Sequence, residues 1–91
     1  MKVVVYGEGE APRGVRAVQT AQVQTEEDLY DLVYGLSGGE FVIVVLSRDA
    51  EQTALTAAQI ATPPPKVVLA GRGQLMEVVR AGGYRPYAMT C

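Results

Sequence analysis

Six consecutive apolar residues, Phe41-Val42-Ile43-Val44-Val45-Leu46, constrain this chain more than any other stretch. The run is short and rich in β-branched side chains, so it reads as a strand. It does not alternate with polar residues, which predicts burial on both faces and a place at the centre of a parallel sheet. In such sheets the loops at the carboxyl ends of the strands meet ligands and partners, which directs attention to Ser47-Arg48-Asp49.

Two similar runs flank it, Lys2 to Tyr6 and Lys66 to Ala70. Weaker strand patterns lie at 21–24, where Ala21 and Val23 alternate with Gln22 and Gln24, and near 86–89, where Pro86 suits an edge. Helices are expected between them. Pro12 fits the first turn of a short helix to Val18. Thr25-Glu26-Glu27-Asp28 supplies a cap and acids for the next, with Leu29, Leu32, Val33 and Leu36 as one apolar stripe. A third helix is expected over residues 50–61, with Asp49 as its cap and an alanine face at Ala54, Ala57, Ala58 and Ala61. It stops at Thr62-Pro63-Pro64-Pro65. A fourth is expected over Gln74 to Ala81, with Leu75, Val78 and Val79 inward and Gly82-Gly83 ending it.

This alternation predicts one α/β domain over residues 1–91. Its core is a doubly wound parallel five-stranded sheet of flavodoxin-like, receiver-like type, in the order 2-1-3-4-5. That order places the three most apolar runs side by side in the middle.

Composition narrows the function classes. The chain is 48% hydrophobic and 20% charged, as in ordinary soluble globular domains. Its longest apolar run is far short of the about 20 residues of a membrane span. There is no histidine and one cysteine, Cys91, so His-based triads, Cys-rich metal sites and internal disulfides are excluded. A cytoplasmic location is the expectation. The net charge of −2 is unevenly spread, with nine acids among residues 1–51 and only Glu77 beyond them. The cations of the C-terminal part, Lys66, Arg72, Arg80 and Arg85, are scattered, so no nucleic-acid partner is expected.

The strand–helix order resembles the receiver domain of bacterial response regulators over nearly the whole chain, in architecture more than in motif. That resemblance implies an acidic pair after the first strand, for which Glu8 and Glu10 stand. It places the phosphoacceptor position at or near Ser47, with Asp49 two residues on. Ala70-Gly71 occupy the hydroxyl position, and no lysine follows the fifth strand. The resemblance is therefore to a pseudo-receiver that is not phosphorylated. Residues 2 to about 50 also resemble the small receiver-like stalk protein of the A/V-type rotary ATPases, through Glu8-Gly9-Glu10, Gly14-Val15-Arg16 and the helix from Thr25 to Leu36. That likeness implies a small stalk or regulatory component of such a motor.

Glu8, Glu10, Asp49 and Glu51 are the candidate metal ligands, since carboxylates gathered at the ends of the first and third strands could hold Mg²⁺. Asp49-Ala50-Glu51 loosely matches the Asp-x-Asp of Toprim-type enzymes. Solvated loop acids are the plain alternative. Arg48 and Arg72 are candidate anion contacts at the same rim. Gly7-x-Gly9 with Gly14 departs from the dinucleotide spacing because Pro12 stands in the third glycine's place, and a turn of positive φ is expected there. Tyr84, Arg85 and Tyr87 form a candidate interaction surface of the composition favoured at protein interfaces.

No complete catalytic set emerges and no cofactor is required. The expected function is a non-catalytic interaction or regulatory module that self-associates or binds a protein partner. The alternatives are a rotary ATPase stalk component and a degenerate Mg²⁺-dependent phosphotransfer or Toprim-type enzyme.

Overall fold

The computed structural model describes residues 1–71, 73–79 and 83–88. The strands are β1 (Lys2–Tyr6), β2 (Ala21–Val23), β3 (Phe41–Val45), β4 (Lys66–Gly71), β5 (Gln74–Val79) and β6 (Gly83–Pro86). The helices are α1 (Arg13–Arg16), α2 (Glu26–Leu36) and α3 (Glu51–Ala58), the last entered through a 3-10 turn at Arg48–Ala50. All six strands form one sheet in the order β2-β1-β3-β4-β5-β6.

The sheet is mixed. β2, β1, β3 and β4 run parallel, whereas β4 pairs antiparallel with β5 and β5 antiparallel with β6. This corrects the expectation of a doubly wound parallel five-stranded sheet. The expected helix from Gln74 does not form; Gln74–Val79 is the strand β5. The cause lies in the turn before it. Gly71 pairs with Gln74, leaving two residues between them, and Gly73 has a φ of 74°. A two-residue connection with a glycine at positive φ is a hairpin turn, and it returns the chain along the free edge of β4. Leu75 and Val78 fit one helical face by spacing, yet they pack into clusters on opposite sides of the sheet. The edge strand also begins earlier than expected, at Gly83, and residue 89 lies outside the described residues.

Two apolar clusters sandwich the parallel half. On one side Leu29 and Val33 of α2 and Ala54, Ala57 and Ala58 of α3 pack on Val4, Ile43, Val45 and Val67. On the other side Ala11 and Val15 pack on Val3, Val5, Val42, Val44 and Val68. Alternate residues of β3 thus feed both clusters, and all five are buried. Burying a side chain such as Ile43 or Leu29 fully contributes about 1.5–3 kcal/mol. α2 begins as its sequence demands, with the Thr25 hydroxyl accepting from the Asp28 N–H at 3.1 Å. Its end is tied to the proline loop: Gly38 N–H donates to the Thr62 carbonyl (3.1 Å), and Thr62 N–H to the Ser37 hydroxyl (3.0 Å).

Candidate functional site

Parallel strands β1, β3 and β4 end on one rim, where a shallow cleft of about 480 Å³ opens on the α1 side. Glu8, Glu10, Arg13, Arg16, Leu46 and Gly73 are among the residues around it. Its shape depends on the turn after β1, in which Gly7 and Gly9 have φ values of 132° and 98°. The side-chain amide of Gln22 on β2 donates to the carbonyl oxygens of both glycines, at 3.0 and 2.7 Å. Two carbonyls that point away from the β ladder are thereby satisfied by a neighbouring strand. The positive φ at Gly7 favours glycine, and a Cβ there would come within 3.2 Å of Leu46 Cβ, so Leu46 would have to yield by a few tenths of an ångström.

The four candidate carboxylates are not brought together. Glu10 lies 3.4 Å from the Arg16 guanidinium, with both side chains well exposed. Glu8 is exposed on the same cleft. Asp49 stands in the 3-10 turn and does not cap α3; Ala50 occupies the cap position, with no side-chain hydrogen bond. Glu51 is turned to the opposite side of the sheet from the cleft, where it accepts a hydrogen bond from the Tyr84 hydroxyl. Among the described residues no three acids stand close enough to hold one ion. Of the two candidate anion contacts, Arg48 sits 5.6 Å from the Tyr84 ring centroid, and Arg72 lies outside the described residues.

Tyr84, Arg85 and Tyr87 are brought to one edge but not to one face. Strand alternation sends Tyr84 to the α3 side and Arg85 to the α1 side, and Tyr87 joins the α1-side cluster. There Arg85 donates to Glu77 through Nε (3.2 Å) and an η nitrogen (3.4 Å), and Lys66 Nζ lies 3.8 Å from the same carboxylate. Lys66 also approaches the Tyr87 ring, 5.9 Å from its centroid. Glu77 is largely covered, with its side chain 13% exposed between cations 59% and 63% exposed. Ion pairs whose cations stay this exposed are worth about 0–1 kcal/mol, so the row orients the edge more than it holds it.

The tyrosine hydroxyls report these environments. Tyr84 is pushed above its ordinary value by its hydrogen bond to Glu51, with lesser burial and the Glu51 charge, against an opposing pull from Arg48. Tyr87 is raised by burial and then by Glu77. Tyr30, half-buried against the α2 side of the core, is raised by burial and then by Glu26, whereas Tyr34 is 76% exposed.

Gln22 and Glu77 escape sequence reasoning. Nothing local marks Gln22 as a clasp for a turn more than a dozen residues before it. Glu77 becomes visible only when residues 74–79 are read as an alternating strand, where it is the inward polar position of Leu75-Glu77-Val79. No protein-family model, curated protein or solved structure matches this chain.

Proposed function

We propose that this chain is a non-catalytic protein-interaction module that acts through the antiparallel end of its sheet. One observation carries the reading: β6 is exposed at all four residues, and no described strand lies beyond it. Edges left open in this way are templates for another chain. The exposed Tyr84 and Arg85 add side chains of the kind enriched in interfaces. The resemblance of residues 2 to about 50 to a rotary ATPase stalk protein points the same way, toward a chain that works by contact.

Among the described residues no helix is long and apolar enough to cross a membrane. A cytoplasmic setting belongs to the proposal, on the ground that a single cysteine allows no internal disulfide.

Incubation with acetyl phosphate and Mg²⁺, followed by intact-mass measurement, tests the reading. The expected result is an unchanged mass and no saturable Mg²⁺ binding by calorimetry. Phosphorylation at Asp49 or Ser47, or metal binding abolished by Glu8→Gln, would replace it with a phosphotransfer enzyme.

A further inference from the structure

The edge of β6 has a definite hydrogen-bonding phase. Tyr87 N–H donates to the Leu75 carbonyl at 2.9 Å, one step beyond the Met76–Pro86 pair. Antiparallel ladders alternate hydrogen-bonded and non-bonded pairs. The bonded pairs are therefore Leu75–Tyr87, Glu77–Arg85 and Val79–Gly83, and the others are Met76–Pro86 and Val78–Tyr84. Tyr84 and Pro86 direct their backbone groups away from β5, toward the edge beyond which no described strand lies. Pro86 has no N–H to offer. Tyr84 is thus the one residue of β6 that presents both a donor and an acceptor outward.

We propose that β6 pairs antiparallel with β6 of a second copy of this chain, about a two-fold axis passing between the two Tyr84 residues. The proposal rests on the reading of the chain as an interaction module and names its partner. A two-fold at this position joins the Tyr84 N–H and carbonyl of each copy reciprocally, which an isologous contact requires. A frame centred on Pro86 has no donor, and one centred on Arg85 sets the two Arg85 side chains directly opposite each other.

The side chains agree with this frame. Arg85 of one copy falls opposite Gly83 of the other, where a Cβ would have no atom within 4 Å in the single chain. The missing side chain leaves room for the Arg85 stem. Each Arg85 keeps its own Glu77 partner, and no like charges stand directly opposite. On the α3 side the two Tyr84 rings become a cross-strand aromatic pair, covering a residue that is 38% exposed in the single chain. A foreign strand would meet the same backbone groups, but it would not supply this reciprocity of Gly83 and Arg85. A four-residue edge buries much less than the about 1,600 Å² of a standard interface, so the dimer forms only at high protein concentration.

Sedimentation of the full chain from about 10 μM to about 1 mM, with amide hydrogen exchange at the two ends of that range, tests this pairing. The expected result is a monomer–dimer equilibrium and slower exchange of the Tyr84 amide as dimer accumulates. Tyr84→Pro removes the outward N–H without breaking a backbone bond of the β5–β6 ladder, though it also removes the hydroxyl that meets Glu51, and Gly83→Val fills the space that Arg85 needs while fitting the monomer. Each should weaken association at least tenfold, whereas Tyr84→Phe should not. If Tyr84→Pro does not fold, Gly83→Val decides alone. A wild type that stays monomeric throughout, or a dimer indifferent to Gly83→Val, overturns the pairing. Mg²⁺-dependent phosphorylation would instead remove the interaction-module reading, and it is measured independently.

Discussion

The hydroxyl of Tyr84 lies 3.0 Å from each carboxylate oxygen of Glu51, a residue 33 positions earlier in the chain. This contact ties the outermost strand to the first turn of α3, across the face that α3 covers. Arg48 stands over the same ring at 5.6 Å. Three residues from three elements meet at one exposed point.

The Tyr84–Glu51 contact has a pH signature. Its phenol ionises above the ordinary tyrosine value of 10.0 because the hydrogen bond to Glu51 favours the neutral form. The unfolded chain, lacking this contact, releases the proton first as pH rises. The stabilisation is therefore complete below pH 10.0 and is lost as pH climbs through the raised folded value. Ultraviolet titration of Glu51→Gln, compared with wild type, should show one tyrosine ionising earlier. An unchanged titration would mean that the contact is not held in solution.

Two glycines should respond to alanine with opposite signs. Gly7 has a φ of 132° and a Cβ there would stand 3.2 Å from Leu46 Cβ, so Gly7→Ala should destabilise by about 1–3 kcal/mol. Gly14 lies inside α1 with open space around the position, so Gly14→Ala should stabilise by about 0.4–1 kcal/mol. Urea denaturation of the two variants checks both signs. Gly14→Ala leaving stability unchanged would mean that α1 is frayed in solution.

Gln22→Leu removes the donor shared by the Gly7 and Gly9 carbonyls, keeping similar side-chain bulk. A loss of about 1–3 kcal/mol is expected, since the Gly7 bond is partly buried. The same variant should speed amide exchange across residues 7–10, because nothing else on β2 clasps that turn by a side chain among the described residues. A stability loss without faster exchange there would place the role of Gln22 within β2 itself.

What could be read from local pattern and what could not divides at Gly71. Before it, the strongest strand and helix patterns are legible: five apolar residues of β3 are all buried, and the Thr25 cap and the α2 stripe fall where their residues put them, whereas β2 carries only a weak alternation and the cap expected at Asp49 is taken by Ala50. After it, Gln74 to Val79 spans fewer than two helical turns, and Leu75, Val78 and Val79 satisfy a helical stripe as well as a strand. The hairpin signal, a glycine within a two-residue connection between apolar runs, is present at residues 72–73 and carries more weight than the spacing. The candidate site shows the same division. Glycines at positive φ are legible at Gly7 and Gly9, whereas the separation of Glu8 and Glu10 from Glu51 depends on which side of the sheet each loop takes.

By itself, the sequence determined the four parallel strands, the helices between them and the tight turn after β1. Each is written in side-chain periodicity, caps and glycines within a few residues of one another. Tertiary structure alone decided that residues 74–79 extend the sheet, that Gln22 clasps Gly7 and Gly9, and that Tyr84 finds Glu51. A six-residue segment has too few local hydrogen bonds to choose its own conformation. The unpaired N–H and carbonyl groups along β4 chose it, offering a complete ladder to whichever segment returned beside them.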